Sequence, residues 1–209
     1  MNDFFEMLES KRLLIFDFDG TVADTTPLHA AAFSEVLAPL GFIVDYSSIA
    51  GLKTLDAMRQ CLNGAGHKLD EAVLAALVTV KQQCVRQMIG QTLQPLPGVD
   101  AFLQWARPRY KLAMVTSGSR GTVSLALEKL GYTGWFNPLI CADDVGKAKP
   151  APEGFLMALQ LAGVSAGDAL VFEDSDAGLQ AAAHAGLDYV DVRCTDWSSI
   201  CSSIEGVPL

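Results

Sequence analysis

Five short apolar runs constrain the fold of this 209-residue chain more than any other feature. None of the runs alternates apolar with polar residues, and such runs are typical of strands that are buried on both faces of a parallel sheet. Helical patterns followed by glycine separate the later runs. This repetition of strand and helix predicts a doubly wound, Rossmann-like α/β core. The runs cover residues 13–16, 112–115, 139–141, 170–172 and 189–192.

The interval that follows the first run contains no strand pattern. Three helical patterns cover it, at residues 28–40, 47–62 and 69–89. The first has a strong start signal, because Thr26 is a predicted N-cap and Pro27 occupies the first helical position. We therefore expect an all-helical cap domain of residues 25–95, inserted into a core domain of residues 1–24 and 96–209.

Charge and composition exclude several classes of protein. The 24 acidic residues outnumber the 15 basic ones, and a net charge of −9 argues against nucleic-acid binding through phosphate neutralisation. Acidic residues near the N-terminus argue against a secretory signal, and no apolar stretch is long enough to cross a bilayer. Five scattered cysteines without a C-x-x-C pair fit reduced thiols. We expect a cytoplasmic protein with neither nucleic acid nor a membrane as its partner.

A pair of carboxylates leaves the first apolar run, where ligands of open α/β sheets bind. Asp17 and Asp19 are two residues apart in an extended segment, so they project to the same side, and Gly20 permits a tight turn after them. Such a pair can bind a cation, or divide the roles of nucleophile and acid/base. An ordinary Asp-Gly turn with solvated carboxylates is the alternative that this motif alone leaves open.

Two further runs end in groups that suit an anion. Thr116 and Ser117 lead towards a helix N-terminus, which can bind phosphate through free N–H groups, although an ordinary N-cap is the alternative. Lys149 precedes Pro150, which restricts its backbone, so it can act as a fixed point charge for phosphate. A solvated surface lysine is the alternative for Lys149, and Lys147 is a rival without the proline.

Two acids follow the fourth run. Glu173 and Asp174 would face Asp17 and Asp19 and complete an all-oxygen site for Mg²⁺, although capping of the next helix is the alternative reading. Four carboxylates and a phosphate dianion would repel strongly with only Lys149 to oppose them. A magnesium ion would cancel part of that charge. Together the four motifs predict a phosphoryl-transfer site.

The ordered motifs resemble those of the haloacid dehalogenase superfamily phosphatases, over about residues 11–192. They are Asp17-x-Asp19-Gly20-Thr21, Thr116, Lys149-Pro150-x-Pro152 and Glu173-Asp174-Ser175. Within the superfamily the chain is similar to the beta-phosphoglucomutase-like branch, and especially to sugar phosphatases of the fructose-1-phosphate phosphatase type. The resemblance implies a Rossmann-like core with a helical cap. It also implies Mg²⁺-dependent hydrolysis of a small phosphoester, expected to be a sugar phosphate, by a monomer.

The resemblance also implies a role for each motif residue. Asp17 would be the nucleophile that forms an aspartyl-phosphate, and Asp19 would protonate the leaving alcohol and then activate water. Thr116 and Lys149 would hold the phosphoryl oxygens, with Ser117 beside them. The implied metal ligands are Asp17, the backbone carbonyl of Asp19, and Asp174, with Glu173 beside the ion or coordinating it.

Three other activities compete with hydrolysis. A phosphohexomutase must hold a second phosphate, and relatives of that type carry an arginine three residues after a cap glycine. Counted from Gly51, this chain has Thr54 there, with Lys53 beside it as a candidate substrate-binding residue. A dehalogenase needs neither Asp19 nor an acidic metal site, and a phospho-aspartate receiver module has no place for the helical insertion. His29 resembles a position beside the acid/base of mutase relatives, or is a partly exposed helix histidine.

Overall fold

A five-stranded parallel sheet forms the centre of the fold. The computed structural model describes residues 2–50, 52–64, 70–194, 197 and 200. The strands are β1 (Leu13–Phe16), β2 (Lys111–Val115), β3 (Leu139–Ile140), β4 (Ala169–Glu173) and β5 (Asp188–Asp191). Their order in the sheet is β3-β2-β1-β4-β5, with every pair parallel. All five predicted strands are therefore present.

Side chains of β1 enter two hydrophobic clusters in alternation. Leu14 and Phe16 belong to one cluster, whereas Leu13 and Ile15 belong to the other, and all four are buried. Because successive residues of a strand point to opposite faces, both faces of the sheet are covered by apolar groups. This explains why the run does not alternate in sequence. The predicted doubly wound, Rossmann-like α/β fold is confirmed.

Eight α-helices accompany the sheet in the described residues. They are α1 (Asn2–Glu9), α2 (Thr26–Leu37), α3 (Thr54–Gly64), α4 (Glu71–Thr92), α5 (Val99–Ala106), α6 (Arg120–Leu130), α7 (Glu153–Ala162) and α8 (Asp176–His184). The sequence patterns did not predict α1 and α5, which have eight residues each. In the part of the chain that the structure describes, no helix is long and apolar enough to cross a membrane.

The inserted segment between β1 and α5 is helical, as predicted. Its helices α2, α3 and α4 share a third hydrophobic cluster, which is separate from the two clusters on the sheet. Part of α4 also joins one of the sheet clusters. Ala23 pairs with Pro95 in an isolated bridge, so the chain enters and leaves the insertion side by side. Division into a core and a cap of residues 25–95 stays a prediction.

The predicted N-cap of the first inserted helix is wrong. Thr25, not Thr26, occupies that position, and its side chain makes no capping hydrogen bond. The Thr25 hydroxyl instead donates to Asp19 at 2.6 Å, so it is committed to the site rather than to the helix. Pro27 lies in the first turn of α2 as expected.

Two of the inserted helices are shorter than predicted. The pattern at 28–40 continues past Pro39, which has no N–H for a helical hydrogen bond, and α2 ends before it with a 3₁₀ turn at Ala38–Leu40. The pattern at 47–62 divides into a 3₁₀ turn at Tyr46–Ser48 and helix α3. Asp45 caps that turn by accepting from the backbone N–H of Ser47.

Candidate active site

A cavity of about 370 Å³ lies between the carboxyl ends of the central strands and the inserted helices. Loops that follow β1, β2 and β4 form one wall, and α2, α4 and the segment between α2 and α3 form the other. The sequence-predicted residues that line it are Asp17, Asp19, Ser117, Lys149 and Asp174. Thr116 and Glu173 are buried among the predicted site residues just behind this lining. The structure thus brings together groups that are far apart in sequence.

Lys149 lies between two buried carboxylates. Its Nζ donates to Oδ1 of Asp17 and to Oε2 of Glu173, at 2.6 Å in each case. Burial disfavours the lysine charge, but attraction by Asp17 and Glu173 outweighs it and raises the pKa of Lys149 above its ordinary value. Lys149 is therefore a cation over the whole physiological pH range, and is not a solvated surface lysine.

The second oxygen of Glu173 is held by the start of α8. Oε1 accepts from Oγ of Ser175 at 2.8 Å and from the backbone N–H groups of Ser175 and Asp174 at 3.1 and 3.2 Å. Gly178 approaches so closely that a Cβ there would lie 2.0 Å from the Glu173 carboxylate. Ser175 is the N-cap of α8, accepting from the N–H of Gly178. Glu173 is thus fixed through both oxygens, and the Asp174 side chain lines the cavity instead of capping the helix.

Three carboxylates converge beside Lys149. Asp17, Glu173 and Asp174 each offer an oxygen, and these oxygens lie within 4.8 Å of one another. Gly20 is necessary for this approach, because its φ is 82° and a Cβ there would lie 2.1 Å from Oδ2 of Asp174. Burial, and then the negative charge of Glu173, raise the pKa of Asp17 well above its usual range and that of Asp174 to about 7. The cluster carries more negative charge than Lys149 offsets.

This donor set fits a divalent magnesium ion. All the donors are carboxylate oxygens, which hard cations prefer, and they are close enough to share one ion. The uncompensated buried charge that raises the pKa values of Asp17 and Asp174 would also favour the binding of a cation. The Asp19 carboxylate is not part of this group. Metal ligation by Asp17, Glu173, Asp174 and the backbone carbonyl of Asp19 stays a prediction.

Asp19 is held by the inserted helices. Its Oδ1 accepts from the Thr25 hydroxyl at 2.6 Å and lies 3.5 Å from Nε2 of His29. On the far side of the ring, Nζ of Lys81 lies 2.9 Å from Nδ1 of His29. An ammonium group can only donate, so Nδ1 accepts and the ring proton lies on Nε2, towards Asp19. Burial lowers the pKa of His29 to about 4, so the ring is neutral near pH 7.

Lys81 is a buried cation on the wall of the cavity. Only 1% of its surface is exposed, and Nζ lies 4.6 Å from the centre of the Phe33 ring. Burial lowers the pKa of Lys81 to about 8. From the sequence, Lys81 is one of several basic residues of the insertion that could contact a substrate, although most such cations are solvated, and a signal for its burial was available. The signal was its spacing, because Lys81, Val85 and Ile89 recur every four residues on the buried face of α4.

Tyr46 was missed altogether by the sequence patterns. Its ring centre lies 6.4 Å from that of His29 and 6.1 Å from that of Phe33, and it lines the cavity. Burial, and then the negative charge of Asp19, raise the pKa of Tyr46 well above its usual range. Tyr46 begins a 3₁₀ turn that carries no recognisable motif, so no sequence signal could have placed it here.

The loop between β2 and α6 closes the cavity beside Asp19. Ser117 and Gly118 line the cavity. Thr116 accepts from the N–H of Gly118 at 3.0 Å, so its buried hydroxyl lies against the loop backbone. A Cβ at Gly118 would lie 2.7 Å from Val123 and 3.8 Å from Oδ2 of Asp19. The phosphate-binding roles implied for Thr116 and Ser117 stay predictions.

Lys53 does not line the large cavity, although it shares a smaller one with Thr116, Ser117 and Lys149. Nζ of Lys53 donates to the carbonyl of Val145 at 2.9 Å. Gly51, from which the mutase argument is counted, lies outside the described residues. Substrate binding by Lys53 stays a prediction.

The profile of the haloacid dehalogenase-like hydrolase family matches residues 14–192 of this chain. The chain therefore belongs to that family, as the four ordered motifs indicate.

Several curated relatives of this chain are named as phosphatases. Fructose-1-phosphate phosphatase YqaB of Escherichia coli is 38% identical over 189 residues, which cover 90% of this chain and 99% of that protein. Validoxylamine A 7'-phosphate phosphatase of Streptomyces hygroscopicus subsp. limoneus is 32% identical, covering 88% of this chain and 86% of that protein. A crystal structure of beta-phosphoglucomutase from Clostridium difficile is 20% identical, with a TM-score of 0.79 over 93% of this chain and 97% of that chain. The chain is a phosphatase of the haloacid dehalogenase-like family.

Proposed function

We propose that this phosphatase hydrolyses small sugar phosphates with Mg²⁺, through an aspartyl-phosphate on Asp17. The observation that carries the proposal is the buried cluster in which Lys149 bonds to Asp17 and Glu173 while Asp174 shares the same acidic pocket. Such a cluster brings a carboxylate nucleophile, a fixed cation and a metal-binding donor set to one point. Every group that the proposal uses belongs to a single chain, so the proposed mechanism requires no second subunit.

Asp17, Asp174 and the backbone carbonyl of Asp19 would hold the ion, with Glu173 beside it. A bound Mg²⁺ supplies positive charge that offsets the carboxylates and polarises the phosphoryl group. The Asp17 carboxylate attacks phosphorus and the P–O bond to the sugar breaks. Lys149 offsets the charge on the phosphoryl oxygens throughout, which suits a reaction that mainly requires positioning and electrostatic stabilisation.

Asp19 supplies the proton for the leaving oxygen. The Thr25 hydroxyl and the neutral His29 ring hold one of its oxygens, Oδ1. Gly118 lies on the side of Oδ2, where the loop after β2 closes the cavity. In the second half of the reaction the ionised Asp19 takes a proton from water, which attacks phosphorus and frees Asp17. One residue thus acts first as acid and then as base.

A polar wall supports a sugar as the alcohol component. Side chains of the inserted segment that line the cavity and carry hydroxyl or amide groups are Thr26, Tyr46, Ser47, Thr54 and Gln82. A few polar groups in a concave site suit the hydroxyls of a sugar. The relative that acts on fructose 1-phosphate, by its name, supports the same substrate class.

Hydrolysis is favoured over phosphohexose isomerisation by the state of the cations in and near the cavity. A second phosphate would need a cation that is not already engaged. Lys81 is bonded to His29, Arg193 is paired with Asp176 and Asp191, and Lys53 donates to a backbone carbonyl. Free phosphate and the dephosphorylated sugar are therefore the expected products.

The proposal is tested by phosphate release from a panel of sugar phosphates, with Mg²⁺ and with EDTA. We expect turnover that requires the metal and that Asp17→Asn abolishes. Asp24→Asn, at an exposed carboxylate close in sequence, is the matched control and should retain activity. A folded, metal-replete protein that releases no phosphate, or that only interconverts phosphohexoses, would contradict the proposal.

A further inference from the structure

Arg86 of α4 reaches across to the first turn of α6. Its Nε donates to Oγ1 of Thr122 at 3.2 Å, and Thr122 is 6% exposed. A Cβ on Gly121 would lie 2.9 Å from Nη2 of Arg86, so the missing side chain admits the guanidinium against α6. Arg86 thus joins the inserted helices to the element that follows the Ser117–Ser119 loop.

The same threonine oxygen also accepts from Ser119. Ser119 is the N-cap of α6, and a serine there usually accepts from a first-turn N–H. Here Ser119 makes no capping bond, and its hydroxyl donates to Oγ1 of Thr122 at 3.0 Å. Two donors therefore converge on Thr122, and the Ser119 hydroxyl caps none of the first-turn N–H groups. The N–H of Thr122 donates instead to the backbone carbonyl of Ser119. Asp143 accepts from the N–H of Arg120.

The positive charge of Arg86 lies near the N-terminus of α6. Among the ion pairs of the described residues, none joins a carboxylate to Arg86. A cation near a helix N-terminus is unfavourable, because both are positive, unless an anion binds between or beside them. Ser117, Gly118, Ser119 and Thr122 all line the large cavity, so an anion in the cavity would meet this positive end.

We propose that Arg86 is a positioning residue for phosphate binding. Through Thr122 it holds Ser119 away from the helix cap and fixes the Ser117–Ser119 loop, so the inserted segment and the phosphate-binding wall are coupled. This inference rests on the proposed function, since it assumes that phosphate binds beside that loop. It assigns to Arg86 no contact with the substrate.

Two substitutions remove the hydrogen bond between Arg86 and Thr122, one at the donor and one at the acceptor. Arg86→Met removes the donor and a charge, whereas Thr122→Val removes only the shared acceptor and keeps the shape of the side chain. We expect each to raise both KM and the Kd of orthophosphate about tenfold, the size of one lost hydrogen bond that orders a charged site, with kcat almost unchanged. Calorimetry with orthophosphate and Mg²⁺ measures the Kd without turnover.

The double variant and two controls complete the experiment. If Arg86 acts through Thr122, the two effects do not multiply and the double variant has about the Kd of Arg86→Met, because loss of the acceptor removes nothing further once the donor is gone. Thr122→Ser restores the hydroxyl and should recover the wild-type Kd, while Arg59→Met, at an exposed ion pair on α3, should not alter it. Thermal unfolding of every variant identifies loss of fold.

The outcomes separate the two proposals. Unchanged orthophosphate affinity in folded Arg86→Met, or effects that multiply in the double variant, would overturn the role of Arg86 while phosphatase activity stands. Failure of Thr122→Ser to recover affinity would also overturn it. A wild-type protein that neither binds orthophosphate nor releases phosphate would refute the proposed function, and this inference with it.

Discussion

Lys149 and Glu173 form a buried ion pair. Nζ of the lysine lies 2.6 Å from Oε2 of the glutamate, and the two side chains are 7% and 0% exposed. Glu173 is also held by the residues before α8, through the Ser175 hydroxyl and the backbone N–H groups of Asp174 and Ser175. A buried charge pair of this kind is strongly destabilising to break, since the remaining charge stays in a region of low dielectric. The pair therefore explains how the fold keeps a lysine beside Asp17.

Lys149→Met should abolish activity and also destabilise the fold. It leaves Asp17 and Glu173 without their cation, and the expected loss is about 3–5 kcal/mol in the free energy of unfolding measured in urea. Adding Glu173→Gln should recover part of that stability, because the amide oxygen still accepts from α8 while one uncompensated charge is removed. Activity should stay absent. A double variant no more stable than Lys149→Met would contradict this account.

Two helical glycines should respond in opposite directions to alanine. Gly178→Ala places a Cβ 2.0 Å from the Glu173 carboxylate, whereas a Cβ at Gly90 of α4 meets nothing within 4 Å. We expect Gly178→Ala to destabilise by about 1–3 kcal/mol through overpacking and to lower activity. Gly90→Ala should stabilise by about 0.5–1 kcal/mol through helix propensity alone. Urea unfolding of both variants measures these changes. Equal changes in the free energy of unfolding would mean that α8 packs less closely against Glu173 than the structure shows.

Magnesium should stabilise the folded protein through Asp174. A ligand that binds only the folded state adds about 2.7 kcal/mol at about 100 times its Kd, which raises the melting temperature. Asp174→Asn should remove most of that increase, since it deletes one of the three converging carboxylates. Asp176→Asn is the control, because Asp176 is an exposed partner of Arg193 outside that group. An equal Mg²⁺ effect in wild type and Asp174→Asn would exclude the assigned donor set.

Lys81 should leave a signature in the dependence of stability on pH. Its pKa is about 8 in the folded chain and near its ordinary value of 10.5 when unfolded. Between these values the unfolded chain binds more protons, so this group makes the free energy of unfolding rise with pH. The groups that face Lys81 are His29 and, beyond it, Asp19.

Lys81→Met should remove that rise, whereas Lys129→Met, at an exposed lysine of α6, should keep it. Urea unfolding from about pH 8 to pH 10.5 measures the slope. The same slope in wild type and Lys81→Met would mean that Lys81 keeps an ordinary pKa in the fold.

Most of the core could be predicted because its signals are local. The five apolar runs are short and unbroken. The acids and hydroxyls of the site stand directly after three of them, and Lys149 follows a fourth after an intervening loop. Parallel strands present their carboxyl ends at one edge, so sequence position alone places Asp17 and Asp174 together. The burial of Lys149 could be argued from charge, because Lys149 is the cation that opposes these acids at this edge of the sheet.

The inserted segment was less predictable because its contacts are long-range. Thr25 resembles an ordinary helix-capping residue, yet its hydroxyl is committed to Asp19. Lys81 contacts a histidine 52 positions earlier in the chain, and Tyr46 reaches the site from an isolated 3₁₀ turn. Such pairings follow from how α2 and α4 pack against each other, which periodicity in one helix does not specify.

The central claim, that Asp17 carries the phosphoryl group, is tested most directly with Asp19→Asn and an aryl phosphate. An aryl leaving group needs no protonation, so transfer to Asp17 should proceed, while the water step that requires Asp19 should not. With Mg²⁺ we predict a burst of about one phenolate per protein and, after acid quenching, phosphate on the peptide that contains Asp17. Adding Asp17→Asn should remove both signals. A burst that survives Asp17→Asn, or phosphate on another residue, would contradict the account.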